Sequence, residues 1–238
     1  MRGPYGFEPT ENCQNCSLRT AGFFCQLSPA ALKDFNAARM SATYPGGAVL
    51  YIERQDPRGV FVLCAGEVKL SISSSAGKTL ILRIARPGEI LGLMAVLANI
   101  PYEVTAETLH PSQVAFIRRE DFLRLLTQHH ELSEGVVRQL TSLYNGACEQ
   151  LRTVGLSGSA PEKLARLILE WSAAGKKTKD GTQIKVPLTH QEIAEFLGTT
   201  RETVTRTLSD FKTRNLVTLQ GSTLTIANRA ALENIGGG

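Results

Sequence analysis

A segment near the C-terminus, residues 189–214, carries the signals for two consecutive helices joined by a glycine turn. Thr189 followed three residues later by Glu192 has the spacing of a capping box, in which each side chain satisfies a free backbone N–H group. Gly198 stands where a helix terminator is expected, and Thr200 can cap a second helix. Apolar residues at helical spacing follow each cap, namely Ile193, Ala194, Leu197, Val204, Leu208 and Phe211. Each helix is therefore predicted to bury one face against the other.

The opposite side of the second helix is polar. At about 100° per residue it collects Arg201, Glu202, Thr205, Arg206 and Ser209. An arginine fork matches the O6 and N7 acceptors of guanine, and a carboxylate accepts from the cytosine amino group. Arg206 and Glu202 are therefore suited to neighbouring G·C pairs, Arg201 to guanine or phosphate, and Thr205 to a thymine methyl group or phosphate. A solvated face with an i,i+4 ion pair explains the charges but not the short helix–glycine–helix frame, so a recognition helix is predicted.

The start of the first helix and the chain after the second helix extend this prediction. Thr189, His190 and Gln191 are expected near DNA phosphate, because a helix N-terminus presents free N–H groups to an anion. Two short β-strands, residues 216–219 and 223–226, follow the second helix around a Gln220-Gly221-Ser222 turn. Together these elements predict a winged helix.

This unit resembles the C-terminal domain of the Crp/Fnr superfamily of bacterial transcription regulators, in which an R-E-T-V-x-R segment, here residues 201–206, contacts DNA. In that family the R-E-x-x-x-R pattern accompanies TGTGA-like half-sites, whereas the oxygen-sensing branch carries glutamate, serine and arginine and binds TTGAT. With Arg201, Glu202, Thr205 and Arg206 this chain lies between the two patterns and closer to TGTGA. The resemblance implies a transcription regulator with double-stranded DNA and RNA polymerase as partners.

The N-terminal half has the pattern of a small antiparallel barrel. Short apolar or β-branched runs alternate with glycine and proline turns, at residues 48–52, 59–64, 67–71, 79–85 and 113–117. The order YPGGAVLY, FVLCAGEVKL and LILRIARPGEILG resembles the cyclic-nucleotide-binding-type β-roll of Crp/Fnr proteins. The expected class is α+β, with four parts: a cysteine-rich segment (1–27), a β-roll sensor (28–132), a dimerisation helix (133–156) and a winged helix-turn-helix domain (157–238).

A long helix is expected after the roll, because apolar residues recur there at three- and four-residue steps. They are Val136, Val137, Leu140, Leu143, Tyr144, Ala147, Leu151 and Val154. Either this helix packs on its own barrel, or it is the two-fold dimer helix that the resemblance implies. The dimer is preferred, since a winged helix usually needs two half-sites about one DNA turn apart. Residues 155–161, rich in glycine and serine, are expected to form a hinge between sensor and DNA-binding domain.

A cyclic nucleotide is not expected in the roll. Family members that bind cAMP resemble one another in a glycine–glutamate pair followed by an arginine for the cyclic phosphate. Here Leu93 replaces the glutamate, and no arginine or lysine occurs between Gly92 and Ala106. Glu103 would repel a phosphate, and Glu89, the remaining candidate for a ribose-like hydroxyl, lies before the expected pair.

Three of the five cysteines form a C-x2-C-x8-C cluster, Cys13, Cys16 and Cys25. Cytosolic thiols seldom form disulfides, and a C-x2-C pair can bring two thiolates to one metal ion, so a ligand set or redox switch is favoured over a staple. Iron–sulfur and zinc sites commonly use four thiolates, so a fourth ligand must come from elsewhere. Metal-free or reversibly oxidised thiols remain the alternative.

The cluster resembles the N-terminal cysteines of the oxygen-sensing Fnr branch, where three cysteines and one distant cysteine hold a [4Fe–4S] cluster. In this chain the last gap is longer than in that branch, and Ala115 stands at the position of the distant cysteine. Cys64, in a predicted strand, is the substitute fourth ligand, and Cys148 on the long helix is the second choice. The resemblance implies sensing of oxygen, nitric oxide or redox state.

Composition excludes several classes of protein. The longest nearly unbroken apolar stretch, residues 90–100, is far shorter than the ~18 residues of a membrane span, and the first residues lack an apolar signal peptide. A cytoplasmic protein without a membrane partner is expected. From Ser157 onward eleven Lys/Arg stand against eight Asp/Glu, the direction that phosphate neutralisation requires. No Ser/His/Asp set, nucleophile elbow or phosphate loop is found, so no enzymatic activity is expected.

Overall fold

The computed structural model describes Cys13, Cys16 and residues 26–155, 158–173 and 175–237, without the side chains of residues 153 and 154. Cys25, hinge residues 156–157 and the side chain of Val154 lie outside the described residues. The chain divides into two compact units, and the main division falls between Ala147 and Cys148, inside the long helix. The sequence placed this boundary later, between residues 156 and 157.

The first unit contains a roll of two four-stranded sheets. The strand orders are β1-β8-β3-β6 and β2-β7-β4-β5. The strands are β1 (Arg39–Tyr44), β2 (Val49–Tyr51), β3 (Gly59–Ala65), β4 (Val68–Ser73), β5 (Thr79–Ala85), β6 (Ile90–Leu91), β7 (Thr105–Thr108) and β8 (Ser112–Arg118). The five predicted strand segments correspond to β2, β3, β4, β5 and β8, whereas β1, β6 and β7 were not predicted.

Four helices belong mainly to this unit: α1 (Pro29–Ala38), α2 (Leu93–Ala98), α3 (Arg119–Gln128) and α4 (His130–Gly155). The Ser28 hydroxyl caps α1 by accepting from the Ala31 N–H, and Pro29 occupies the first helical turn, where its missing N–H costs nothing. Side chains of α1, α3 and the start of α4 share one apolar core with β3 and β8, including Leu32, Phe35, Ile117, Phe122 and Leu132.

The long helix α4 carries two distinct apolar faces. It begins at His130, earlier than the predicted residue 133, because the fully buried Leu132 already packs on the core. Val136 and Leu140 also pack on that core. For these two residues the first alternative holds, in which the helix packs on its own roll. Val137, Tyr144 and Leu151 are 63%, 72% and 72% exposed and recur every seven residues.

The second unit contains four further helices and a four-stranded sheet of order β11-β12-β10-β9. Its elements are α5 (Ala160–Ser172), β9 (Lys176–Thr178), β10 (Gly181–Lys185), α6 (His190–Leu197), α7 (Arg201–Thr213), β11 (Val217–Gln220), β12 (Thr223–Ile226) and α8 (Arg229–Gly236). The predicted α+β class, with a roll, a long helix and a C-terminal winged helix-turn-helix, is confirmed. No described helix is long and apolar enough to cross a membrane.

Candidate nucleic-acid interface

The two predicted helices of the DNA-binding motif are present, and their caps are formed as expected. The Thr189 hydroxyl accepts from the Glu192 N–H, and the Glu192 carboxylate accepts from the Thr189 N–H at 2.9 Å. Gly198 ends α6 in the left-handed conformation at φ 63°, which glycine adopts without a steric penalty. The Thr200 hydroxyl then accepts from the Thr203 N–H and starts α7. The sequence thus fixes both helix boundaries locally.

The apolar stripes of α6 and α7 are buried, which decides the direction of the polar face. Every predicted member is at least 96% buried, namely Ile193, Ala194, Leu197, Val204, Leu208 and Phe211. At about 100° per residue, burial of this stripe leaves the opposite side of α7 in solvent. The predicted residues of that side are all exposed, namely Arg201, Glu202, Thr205, Arg206 and Ser209. We call these five residues the polar face of α7.

Among the described residues, no close ion pair joins the charged side chains of the polar face of α7. Within the described residues, neither Arg201 nor Arg206 forms an ion pair, and the i,i+4 pair between Glu202 and Arg206 is not made. Hydrogen bonds from its own backbone N–H and from Thr200 lower the pKa of Glu202 below its ordinary value, and the Arg201 charge helps to lower it. The carboxylate therefore stays an acceptor near neutral pH, and both guanidinium groups are available to bases or phosphates.

The start of α6 makes a contact that the sequence analysis did not predict. His190 Nδ1 lies 3.0 Å from Thr205 Oγ1 on the polar face of α7. The neighbouring Gln191 amide instead donates to Glu195 Oε1 along its own helix, at 2.9 Å. His190 thus links the two helices across fifteen positions of sequence, and helical periodicity within one helix gives no signal for such a pair.

Lys185 is a further basic residue at this end of the domain, and the sequence analysis did not single it out. It pairs with Thr223 at the start of β12. The following Val186 N–H donates to the Ser222 carbonyl at 2.8 Å in the turn between β11 and β12, which is the wing turn. The exposed Lys185 therefore lies beside the wing turn and a few residues before α6. Its alternation with the buried Ile184 was the available signal.

Cys13, Cys16 and Cys64 belong to the first unit. Cys13 and Cys64, which lies on β3 as predicted, both pack against the core that also contains Val62 and Ala115. Val62 pairs with Ala115 across β3 and β8, and Cys64 Sγ lies 3.7 Å from Val62 O. Cys64 therefore lies two residues along β3 from the partner of Ala115, the position where the family's distant cysteine was expected.

The thiol chemistry of this region is set by burial. Burial raises the pKa of the Cys13 thiol, and the opposing effect of the Arg39 charge is smaller. Among the residues that the structure describes, no three His, Cys, Asp or Glu side chains converge on a possible metal position. Cys25, which completes the candidate set with Cys13, Cys16 and Cys64, lies outside the described residues.

A set of contacts connects α1, which follows the cysteine segment, to the start of α4. The Ser28 N–H and hydroxyl donate to the two Glu131 carboxylate oxygens at 2.9 and 2.5 Å. These bonds lower the pKa of Glu131. The His129 side chain is only 15% exposed, and its Nε2 lies 2.9 Å from Asp34 Oδ2. We call these four residues the α1–α4 clasp.

A second contact, about two turns after Glu131, ties α4 to the roll. Gln139 is 4% exposed; its Oε1 accepts from the Ile90 N–H at 3.0 Å and its Nε2 donates to the Ile90 carbonyl at 2.6 Å. Ile90 begins β6, which leads directly to Gly92 and α2. Strand β6 lies at the edge of its sheet. The Gln139 side-chain amide thus makes the backbone hydrogen bonds to Ile90 that a neighbouring strand would otherwise make.

The segment where a cyclic phosphate was considered is packed with the chain's own tyrosines. Tyr51 and Tyr102 are both 3% exposed and stack with ring centroids 4.1 Å apart, and a Cβ at Gly92 would meet Tyr102 at 2.6 Å. The Glu89 carboxylate, considered for a ribose-like hydroxyl, pairs with Arg83 and accepts from the Arg86 N–H. Tyr51, Tyr102 and Glu89 are thus all engaged with other groups of the chain.

Comparison with known proteins agrees with this geometry. Residues 162–235 match the Crp-like helix-turn-helix domain, and residues 42–129 match the cyclic nucleotide-binding domain. The chain is 24% identical over 217 residues to a CRP-like cAMP-activated global transcriptional regulator from Mycobacterium tuberculosis, covering 90% of this chain and 96% of the relative. It is 25% identical over 174 residues to the anaerobic regulatory protein of Bacillus subtilis, covering 73% of each.

A solved structure has the same fold. FixK2 from Bradyrhizobium japonicum superposes with a TM-score of 0.72 at 21% identity, covering 83% of this chain and 96% of that one. The matched domains and relatives are those of DNA-binding transcription regulators and not those of enzymes. The chain belongs to the Crp/Fnr superfamily of bacterial transcription regulators.

Proposed function

We propose that this regulator is a homodimer that binds a palindromic DNA site with TGTGA-like or TTGAT-like half-sites, and that a [4Fe–4S] cluster on its N-terminal cysteines switches it. The observation that carries the proposal is the exposed polar face of α7, whose two arginines form no ion pair among the described residues. Its position opposite a buried stripe supports insertion of α7 into the major groove, with the wing and the start of α6 at the backbone.

Within the groove, the side chains of α7 have complementary roles. Arg206 donates both fork N–H groups to guanine, and Glu202, one turn earlier, accepts from a cytosine amino group. Arg201 adds a contact to guanine or phosphate, which favours a TGTGA-like half-site over TTGAT. Thr189, Gln191 and Lys185 supply contacts to the phosphates.

Base recognition by Arg206 is tested with a matched charge deletion on the same helix. Arg206→Ala should reduce the preference for the palindrome over random DNA by about 1–3 kcal/mol per half-site, because a bidentate pair is lost. The control is Lys212→Ala, which removes an equal charge from the exposed last turn of α7. Equal loss on palindromic and random DNA for Arg206→Ala would refute base recognition by this residue.

The exposed seven-residue repeat of α4 supports the homodimer. Val137, Tyr144 and Leu151 form an exposed apolar stripe on a helix whose opposite side is buried as far as Leu140, and a second copy of the helix covers such a stripe in a coiled coil. Two winged helices on one two-fold axis then reach half-sites one DNA turn apart. RNA polymerase is the further partner that the family implies for the DNA-bound dimer.

The proposed ligands of the cluster are Cys13, Cys16, Cys25 and Cys64. The packing of Cys13 and Cys64 against one core, and the place of Cys64 two residues along β3 from the partner of Ala115, support this choice. A bound [4Fe–4S] cluster supplies a centre that oxygen, nitric oxide or a change of redox state can alter. The Bacillus subtilis relative is an anaerobic regulatory protein, and this agrees with such a signal.

The raised pKa of Cys13 helps to separate the cluster from metal-free thiol oxidation. The thiolate is the reactive form of cysteine, so a thiol whose pKa is raised by burial reacts slowly with oxidants. A metal centre, by contrast, deprotonates a coordinating thiol. The burial of Cys13 therefore disfavours direct oxidation of this thiol as the switch.

The α1–α4 clasp gives the cysteine segment a physical route to the dimer helix. Ser28 follows Cys25 by three residues and holds Glu131, while the Cys13 N–H donates to Asn36 Oδ1 on α1. Ligation of the cysteines fixes the chain at both ends of this route. A shift of α1 is then transmitted to the first turn of α4, which is a two-state coupling of signal and DNA binding.

The visible spectrum and iron content of protein purified without oxygen test the cluster. We expect a coloured, iron-containing protein that loses iron in Cys64→Ser and keeps it in the control Cys148→Ser. If iron were lost in Cys148→Ser and retained in Cys64→Ser, the fourth ligand would be Cys148 and not Cys64. A colourless, iron-free wild-type protein would refute the cluster and favour a small-molecule signal, as in the cAMP-activated relative. Titration with cAMP should give no binding, because no cation lies between Gly92 and Ala106.

A further inference from the structure

Thr205 uses its hydroxyl differently from two other threonines of α7. Thr207 and Thr213 donate to backbone carbonyls one turn earlier, at 2.8 and 3.0 Å, which is the usual arrangement in a helix. Thr205 Oγ1 instead lies 3.0 Å from His190 Nδ1 at the start of α6. Because helical threonine divides between two rotamers, this contact selects one of them.

We propose that His190 is a positioning residue for Thr205 and thereby sets a preference for thymine at one base pair of each half-site. With its hydroxyl engaged by His190, Thr205 has its methyl group left for the DNA, and that group favours the thymine methyl in the major groove. This inference rests on the proposed function, in which the polar face of α7 lies in the groove.

The position of His190 supports this role over that of a simple phosphate ligand. It occupies the first position of α6, directly after the Thr189 cap, so the capping box fixes its backbone. The side-chain amide of the adjacent Gln191 donates instead to Glu195 on its own helix. The His190 backbone is thus fixed by the capping box, and its side chain contacts Thr205 on the polar face of α7. Gln191 lacks a contact to Thr205 among the described hydrogen bonds and provides a matched control.

The experiment measures binding of the full-length protein to its selected palindrome, with each thymine replaced in turn by deoxyuridine. Loss of one buried methyl contact should weaken wild-type binding about fourfold at one position per half-site. His190→Ala should abolish this difference. His190→Asn should retain it, because the asparagine amide lies at the same distance along the side chain as Nδ1. Gln191→Ala removes a proposed phosphate contact, so it should weaken binding to thymine-containing and deoxyuridine-containing DNA alike and preserve the difference between them.

A second set of variants separates positioning from folding. Thr205→Val keeps a methyl group without needing His190, so its deoxyuridine effect should persist and become independent of His190→Ala. The inference is overturned if His190→Ala weakens binding equally on all DNAs while the fourfold effect remains. It is also overturned if no thymine shows an effect that depends on His190. Absence of any site preference in the wild-type protein would instead overturn the proposed function.

Discussion

The strength of the proposed dimer can be worked out from the exposed stripe of α4. Tyr144 is 72% exposed and lies at the centre of the stripe, between Val137 and Leu151. A tyrosine presents roughly 150–250 Å² to a partner, and covering about half of the exposed part buries about 70 Å² per subunit. At about 25 cal/mol per Å², the two copies contribute about 3–4 kcal/mol, so Tyr144→Ala should weaken dimerisation roughly 200- to 900-fold.

Sedimentation of the full-length protein over a concentration series measures this change. The control is Ser142→Ala, an exposed position about 160° away around the same helix. Tyr144→Ala should raise the dimer dissociation constant and lower affinity for the palindrome towards that for an isolated half-site, while Ser142→Ala should do neither. A dissociation constant that changes by less than about threefold in Tyr144→Ala, or equally in both variants, would refute the assignment of this face.

Two further predictions concern stability. Thr189→Ala should cost about 1 kcal/mol of unfolding free energy in urea titrations, and Thr189→Asn, which can still cap, should cost much less; equal losses would contradict the role of the cap. The pKa of Glu131 lies below its ordinary 4.5, so its stabilising effect should be complete above about pH 4.5 and lost as pH falls below that value. Urea midpoints of the wild-type protein should therefore decrease as pH falls below about 4.5. Glu131→Gln should reduce this decrease, and Glu120→Gln, at an exposed position, should preserve it. An unchanged decrease in Glu131→Gln would refute the clasp.

The motif that binds DNA was predictable because its signals are local. The capping box of Thr189 and Glu192, the glycine terminator Gly198 and the apolar stripes act within a few residues of one another. These signals determine helix ends and faces whatever the rest of the fold does. The exposed side of α7 followed from the same periodicity.

Elements held by distant partners were missed. Strand β1 contains no buried residue, although Met40, Ala42 and Tyr44 alternate with polar residues, and its pairing with β8, about seventy residues later, makes it a strand. Strand β6 has only two residues and is completed by Gln139 of α4. The contact between His190 and Thr205 likewise joins two helices whose periodicities are independent. Sequence periodicity carries no information about such tertiary partners.

The ties on α4 explain why the cysteine segment is the better candidate for the input than the roll. The α1–α4 clasp holds the helix at Glu131, and Gln139 holds it to β6, two turns further along. A ligand in the roll would act through β6 and α2, but Tyr102 already packs against Gly92 there, so a ligand must first displace a buried, stacked ring. The clasp consists of exposed hydrogen bonds next to Ser28, which can open without disrupting the core. In the proposed mechanism, a signal in the cysteine segment can therefore move the start of α4 by opening the clasp, without displacing a buried ring.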